Sequence, residues 1–506
     1  MIARLCTAAL LLAGPATAAP IDPQRLAVAG TVDPRFQSYN IEMVEVTGGR
    51  FWKPYRLGPP QSPADRYAMR PPINLANPRL RMLVAALGPA YVRISGTWAN
   101  ATWLATDETP PAAPPAGFNT ILTRGQWRGV AAFLTAVDGE LITSFAGSAG
   151  VRDASGIWQP DQMQALLSYS TALGIKVAGA EFLNEPNLIN LTGAPSGYSA
   201  ADYGRDFGRF AAAFRTAAPG ARILGPGGAG DGGFVEGLAK AAGLRLLPSA
   251  ALLAASPTPP DGFSYHHYGA LSRRCAADGP LSVQPPAALD PTWLARTDTT
   301  LSVYRGLRDR HAPGAPIWLT ETAQAACGGS PWASGFADTP RYIDQLGRLA
   351  RQGVQVVMHN TLAASDYGLL DEDDFTPRPN YWAALLWSRM MSPTVLAIET
   401  PNPLLRVYAH CLKGKAGGVA LVAINLAQHA KPLEFRGQGL AYTLTGIDSD
   451  RGAALNGHPL ALDRDGKLPP LLANSVKRML MLPPASVTFV AIPSAQAFSC
   501  GGRAKP

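Results

Sequence analysis

From about residue 75 to residue 390 the chain repeats one unit, a short apolar run of strand length followed by an amphipathic stretch of helix length. The runs are Tyr91 to Ser95, Leu141 to Phe145, Ala178 to Leu183, Arg222 to Leu224, Phe263 to His266, Ile317 to Thr320 and Val354 to Met358. Asp161 to Leu173, Tyr203 to Ala217, Leu294 to Arg310 and Thr339 to Gln352 have helical periodicity and fall between them. Parallel strands need crossover connections, and a helix is the usual one. The repeat therefore predicts an α/β fold, a (β/α)8 barrel of the TIM type, with seven of its eight strands visible. An open doubly wound sheet would bring a glycine-rich phosphate loop after its first strand, and none stands there.

The 506 residues exceed what such a barrel needs, which is about 250. After about Ser392 the pattern changes to short strands without long helices: Leu404 to His410, Gly418 to Asn425, Leu440 to Thr445, Arg478 to Leu482 and Ser486 to Ile492. These predict an all-β sandwich packed on the barrel. The expected division is a signal peptide at 1–19, an N-terminal segment at 20–70 that adds strands to the sandwich, the catalytic barrel at 71–392 and the sandwich domain at 393–506. Thr109 to Gly117 and Leu281 to Pro291 are proline-rich and read as surface loops.

The leader has basic Arg4, an apolar stretch through Leu10 to Ala13 and a small-residue end at Ala16 to Ala18, the order of a secretory signal. It is shorter than the roughly 18 residues that span a bilayer, so a secreted or periplasmic protein with no membrane span is expected. Outside the leader stand Cys275, Cys327, Cys411 and Cys500, an even number that favours disulfides in an exported chain. Of the three possible connectivities, Cys411 with Cys500 would close the C-terminal region, and Cys275 would then pair with Cys327. The formal net charge of +8 suits an acidic polysaccharide partner. No tight Lys/Arg block with interleaved aromatics marks a nucleic-acid site. No metal, no cofactor and a monomeric state are expected.

Two glutamates carry the chemistry. Glu185 follows the run Ala178 to Leu183 and is preceded by Asn184, and Glu321 follows the run Ile317 to Thr320. Strand ends of a β/α barrel form its catalytic face. A carboxylate pair there predicts retaining glycoside hydrolysis, in which one group protonates the leaving oxygen and the other attacks the anomeric carbon. Asn184 would bond the sugar 2-hydroxyl as charge develops. His266 and His267 end another strand, where alternation sends their side chains to opposite faces, so they cannot share one metal ion. Trp98, Trp103, Tyr367 and Trp382 are candidate stacking faces for sugar rings.

At this point several segments, in order, resemble one family: Tyr91 to Thr97, Asn184 to Asn187, His266 to Tyr268, Glu321 to Thr322 with Gly328 and Gly329, Val356 to Met358 with Asp366 and Tyr367, Asn380 to Trp382, Tyr408 to Cys411, and Ala423 to Leu426. They look like heparanase and related β-glucuronidases, glycoside hydrolase family 79, over about residues 37 to 500. The resemblance implies a barrel with a β-sandwich, Glu185 as acid/base, Glu321 as nucleophile, and heparan sulfate or a similar uronate glycan as substrate. It places Asn184, Thr97, His267, Tyr268 and Tyr367 around the glucuronic acid, with Glu42 on the first strand. It also implies that backbone N–H groups around Cys327, Gly328 and Gly329 bind the uronate carboxylate, with Ala326 and Cys327 where human-type heparanase has a tyrosine. The stretch matching that type's processed linker, about 105 to 118, is short, so a single unprocessed chain is expected. The first reading is endo-cleavage of that glycan; the alternatives are an exo-β-glucuronidase, another retaining barrel hydrolase for neutral glycosides, and a glycan-binding protein without turnover.

Overall fold

The structure, a computed structural model, describes residues 19–232, 236, 245–276, 282–399, 402–447 and 451–501. The expected leader therefore lies, but for Ala19, outside the described residues, as does Leu281 of the second proline-rich loop. Eight parallel strands close into a barrel: β1 (Gln37–Glu42), β2 (Ala90–Ser95), β3 (Gly139–Thr143), β4 (Val177–Glu181), β5 (Arg222–Ala229), β6 (Gly262–Tyr268), β7 (Ile317–Ala323) and β8 (Val356–His359). Each pairs with its neighbour in sequence, and β8 pairs with β1 through Val357 opposite Gln37 and His359 opposite Tyr39.

The eighth strand is the one the helix-alternating pattern hid. Gln37–Glu42, expected within a segment that feeds the sandwich, lies in the barrel, so the barrel begins well before residue 71. It carries Ser38, Asn40 and Glu42 on its buried inward positions, where an apolar run would be the signal for a parallel strand. Of that N-terminal segment, Val28–Thr31 joins the β domain antiparallel to Met391–Leu396, and Ile21 forms a single bridge with Phe435. Gly49–Trp52 and Tyr67–Arg70 form a separate hairpin that lies over the top of the barrel.

The barrel interior is apolar at its base, where Tyr91, Ile142, Leu224, Trp318, Val356 and Met358 pack together. One and two layers further along the same inward positions stand Arg93 and Glu181, both almost wholly buried. The outer faces of the strands pack against helices such as Arg124–Ala136, Ala200–Ala217 and Arg296–His311 in a single large core.

Among the described residues the β domain is one antiparallel sheet of nine strands, Val28–Thr31 included. Its central strand, Val419–Asn425, is buried at every position, because both its faces are covered. Ala420, Val422 and Ile424 pack into the barrel-side core, whereas Val419, Leu421 and Ala423 pack into the domain's own core with Leu433, Phe435 and Val490. The long strand Lys431–Ile447 pairs with both Ser486–Ile492 and Asn474–Leu482 and folds the sheet over that second core. A disulfide joins Cys411 to Cys500 beside it, and a second joins Cys275 to Cys327 at the top of the barrel. No helix among the described residues is long and apolar enough to cross a membrane.

Candidate active site

Strand alternation decides which side chains reach the barrel mouth. In β6, Ser264, His266 and Tyr268 point inward and Tyr265 and His267 outward, toward Tyr304 and Thr300. His267, expected at the sugar, bonds Thr300 Oγ1 through Nδ1 at 2.9 Å among the outer helices, where burial holds its pKa down to about 3. His266 stands at the barrel mouth in its stead. Its Nδ1 lies 3.0 Å from Glu185 Oε1, and its Nε2 3.3 Å from Arg93 Nη2. Burial presses the His266 pKa down, but the charge of Glu321 and the bond to Glu185 outweigh it and raise it, so the ring favours its charged form with the Nδ1 proton facing Glu185.

Glu321 reaches the interior through an irregularity. Tyr265 pairs with Leu319 but His266 pairs with Glu321, so β7 carries one extra residue, Thr320. Such a bulge shifts the side-chain alternation by one. Thr320 and Glu321 consequently both face inward: Thr320 Oγ1 donates to Glu181 Oε1 at 2.8 Å, and Glu321 Oε2 accepts from Arg93 Nη1 at 2.9 Å. Tyr268 Oη donates to Glu321 Oε1 at 2.6 Å. Glu185 stands past the end of β4 with φ of 48°, a conformation that carries its side chain back over the mouth.

One ligand atom from each of Glu185, His266 and Glu321 lies within 4.8 Å of the other two. Among the described residues this is the one cluster close enough to share a metal ion. Arg93 already supplies cationic charge at that point, contacting both Glu321 and His266. The two carboxyls are electrostatically unlike. Burial, and then the negative charge of Glu321, push Glu185 above the ordinary carboxyl range against the pull of His266. Burial acts on Glu321 too, but His266, Arg93 and the Tyr268 hydroxyl outweigh it and hold Glu321 low.

Arg93 organises the set. It also donates through Nε and Nη2 to Glu181 Oε2, at 3.0 and 2.8 Å, and through Nη2 to Asn184 Oδ1 at 2.8 Å. With Oδ1 so engaged, the Asn184 amide presents its Nδ2 donor elsewhere, and its backbone is fixed by both atoms of the Asn100 side chain. Asn360 Nδ2 bridges Glu42 Oε1 at 3.1 Å, Tyr268 Oη at 2.9 Å and Tyr367 Oη at 3.3 Å. Glu42, Tyr268 and Tyr367 thus form a connected wall beside Glu321. Burial and the charge of Glu321 raise the Glu42 pKa.

The loop Cys327 to Gly329 borders this wall, all three residues having positive φ. A Cβ on Gly329 would stand 3.1 Å from Tyr367 Cβ. Thr97 starts the half-buried turn after β2, next to Gly96, whose missing side chain leaves room for the Glu42 carboxylate. Of the aromatic candidates, Trp98 packs on Phe51 and Trp52 beneath the hairpin, and Trp382 is buried in the helix Pro379–Met390, closed off from any sugar.

Arg93, Glu181 and Asn360 were not singled out from the sequence. The signal was present for the first two: a charged residue inside a run that otherwise reads as a buried strand must meet an opposite charge. Nothing local marks Asn360.

No family model matches the chain. Among curated proteins, heparanase-like protein 1 of Arabidopsis thaliana is 27% identical over 487 residues, covering 85% of this chain and 86% of the relative. Heparanase of Mus musculus is 28% identical over 494 residues, covering 84% and 88%. Among solved structures, a 4-O-α-L-rhamnosyl-β-D-glucuronidase from Fusarium oxysporum superposes with a TM-score of 0.63 over 94% of this chain and 100% of its own, at 13% identity, a likeness of fold. With the closed barrel, the added β domain and similarity running through most of the length of both relatives, this chain is a glycoside hydrolase similar to the heparanases.

Proposed function

We propose that the chain is an exported, retaining β-glucuronidase of the heparanase type that cleaves within heparan sulfate or a related uronate polymer. The observation that carries the reading is the approach of Glu185 and Glu321, an oxygen of each within 4.8 Å of the other. Retention calls for carboxyls about 5–5.5 Å apart, whereas inversion needs about 6.5–9.5 Å to admit a water. Their opposed pKa shifts support the division of labour.

In the first step the ionised Glu321, oriented by Arg93 and Tyr268, attacks the anomeric carbon while the glycosidic C–O bond breaks. Glu185 passes its proton to the departing oxygen. The Asn184 amide donates to the 2-hydroxyl, an interaction that strengthens as positive charge grows on the ring. In the second step Glu185, now a carboxylate, takes a proton from water as that water attacks the anomeric carbon on the face the leaving group vacated and displaces Glu321 from the opposite one. Tyr268, Tyr367 and Glu42 border the sugar, and the loop at Cys327, Gly328 and Gly329 receives its carboxylate through backbone N–H groups, donors that suit an anion accepting several short bonds.

Room for a polymer supports internal cleavage. A cavity of about 710 Å³ is lined by Tyr55, Arg273, Asp366 and Arg451, and one of about 1160 Å³ shares Arg273 and Arg451 with it. Neither is lined by Glu185 or Glu321; the smaller hollow reaches the edge of the site at Asp366, next to Tyr367, and would suit more distant sugars. Export is supported by the leader pattern and the two disulfides.

The test is incubation of pure protein with heparan sulfate and with an aryl β-glucuronide between about pH 4 and 7. Expected are oligosaccharides from the polymer and, by proton NMR, a first-formed β-anomer from the glycoside. Glu321→Gln should lower kcat by about 10³-fold or more without unfolding the protein. Absence of cleavage of both substrates sinks the reading, and a first-formed α-anomer sinks retention.

A further inference from the structure

Arg274, 1% exposed, is a buried cation to which the reaction above assigns no role. It stands on the loop after β6. Its Nε donates to the Lys53 carbonyl at 2.8 Å, and its Nη1 to the carbonyls of Cys327 at 3.0 Å and Gly329 at 2.7 Å, with Ser272 Oγ at 3.5 Å. Its Nη2 pairs with the Asp366 carboxylate, and the guanidinium lies 4.0 Å from the centre of the Tyr55 ring. One side chain therefore ties together the strand leaving the hairpin, the loop after β6, the loop after β7 and the segment before Tyr367. The next residue, Cys275, is bonded covalently to Cys327.

Burying a guanidinium is costly unless its donors are matched. Here most are matched by carbonyls, two of them in the glycine loop, and that has a directional consequence. In a trans peptide the N–H points opposite to the C=O. Drawing the Cys327 carbonyl toward Arg274 turns the Gly328 N–H to the other side of the loop. The Ala326 carbonyl accepts from the Ser272 N–H at 3.1 Å, which turns the Cys327 N–H in the same way. The next two donors are engaged within the chain, Gly329 N–H with the Ala325 carbonyl at 3.2 Å and Ser330 N–H with Gln324 Oε1 at 2.8 Å. The donors the loop can offer a ligand are therefore those of Cys327 and Gly328. A side chain at Gly328 would collide with Ser365 Oγ and Arg274 Nη1, at 2.5 and 2.9 Å, so the arrangement requires glycine there.

We propose that Arg274, held by Asp366, is the positioning residue that sets preference for sugars bearing a carboxylate at C6, by fixing the Cys327 and Gly328 N–H groups as a rigid receptor for it. The proposal rests on the uronidase reading above. It is tested by kcat/KM of the wild type and of Arg274→Met, Arg274→Lys and Asp366→Asn on an aryl β-glucuronide and on the matching β-xyloside, which has the same ring without C6. The expected result is that the uronide-to-xyloside ratio falls at least about tenfold in both Arg274 variants, and by less in Asp366→Asn, while xyloside turnover changes less than about threefold. Where xyloside turnover is below detection, inhibition constants of free glucuronate and xylose supply the same ratio. If Arg274→Met does not fold, the Lys and Asn variants carry the test. A wild type without preference for the uronide overturns the reading of the site and the proposal with it. A preferring wild type whose variants keep the preference, or lose both activities in parallel, overturns the proposal alone.

Discussion

His266 Nδ1 lies 3.0 Å from Glu185 Oε1, and the same imidazole stands 3.8 Å from Glu321 Oε2. The ring thus touches both carboxyls, and it lowers the pKa of each. The proposed first step needs Glu185 protonated and Glu321 ionised, so activity should rise with pH as Glu321 deprotonates and fall as Glu185 does. Because Glu321 is held below and Glu185 above the usual 4.5, the profile of kcat/KM should be a bell that spans that value. Removing the ring lets both pKa values climb. In His266→Ala both limbs should move to higher pH, with kcat reduced about 10- to 100-fold, as for loss of a hydrogen bond to a charged group. A pH–rate profile checks this, and limbs that stay in place contradict it.

Gly96 has φ of 91°, and a Cβ there would fall on the Glu42 carboxylate. Gly96→Ala should lose about 1–3 kcal/mol of stability from backbone strain, and should displace Glu42 from Asn360. Lowered kcat/KM on the uronide is expected along with lowered Tm. Gly129, in the middle of the helix Arg124–Ala136 with open space around its Cα, is the control: its Ala variant should gain up to about 1 kcal/mol and leave turnover unchanged. Denaturant unfolding and kinetics on the two variants make the comparison.

Glu45 is fully buried, and burial, opposed by Arg70, pushes its pKa up to about 7 from 4.5. Between those values the folded state holds a proton that the unfolded chain has released. Stability from this group is therefore fully present below pH 4.5 and is lost as pH rises through about 7, a change of roughly 3 kcal/mol. Glu45→Gln cannot titrate. Its Tm relative to wild type should rise steadily from pH 5 to pH 8, by thermal unfolding in a series of buffers. A constant difference across that range would remove Glu45 as the source.

The repeat of apolar runs and helical stretches was enough to predict the barrel, because a parallel strand buried on both faces must be apolar and its crossover must be amphipathic. It failed at Gln37–Glu42, where Ser38, Asn40 and Glu42 occupy inward positions and conceal a barrel strand. The site was partly legible for a related reason. Asn184 and Glu185 follow an apolar run closely enough to mark a strand end, and the paired histidines mark another, but which histidine turns inward depends on the register of β6 against β7. Arg274 carries no local mark, since its importance lies in carbonyls about fifty residues away along the chain.

The residues themselves determined the elements and marked the two acids, since these follow from hydropathy, periodicity and side-chain chemistry over short spans. Only the tertiary structure decided that Glu321 faces the barrel interior at all. Strict alternation from Trp318, which points inward, would turn Glu321 outward into the helices. The extra residue at Thr320, accommodated only when β7 pairs with β6, reverses that and brings Glu321 to Arg93 and His266. Register is a property of two strands together, and one strand's sequence does not contain it.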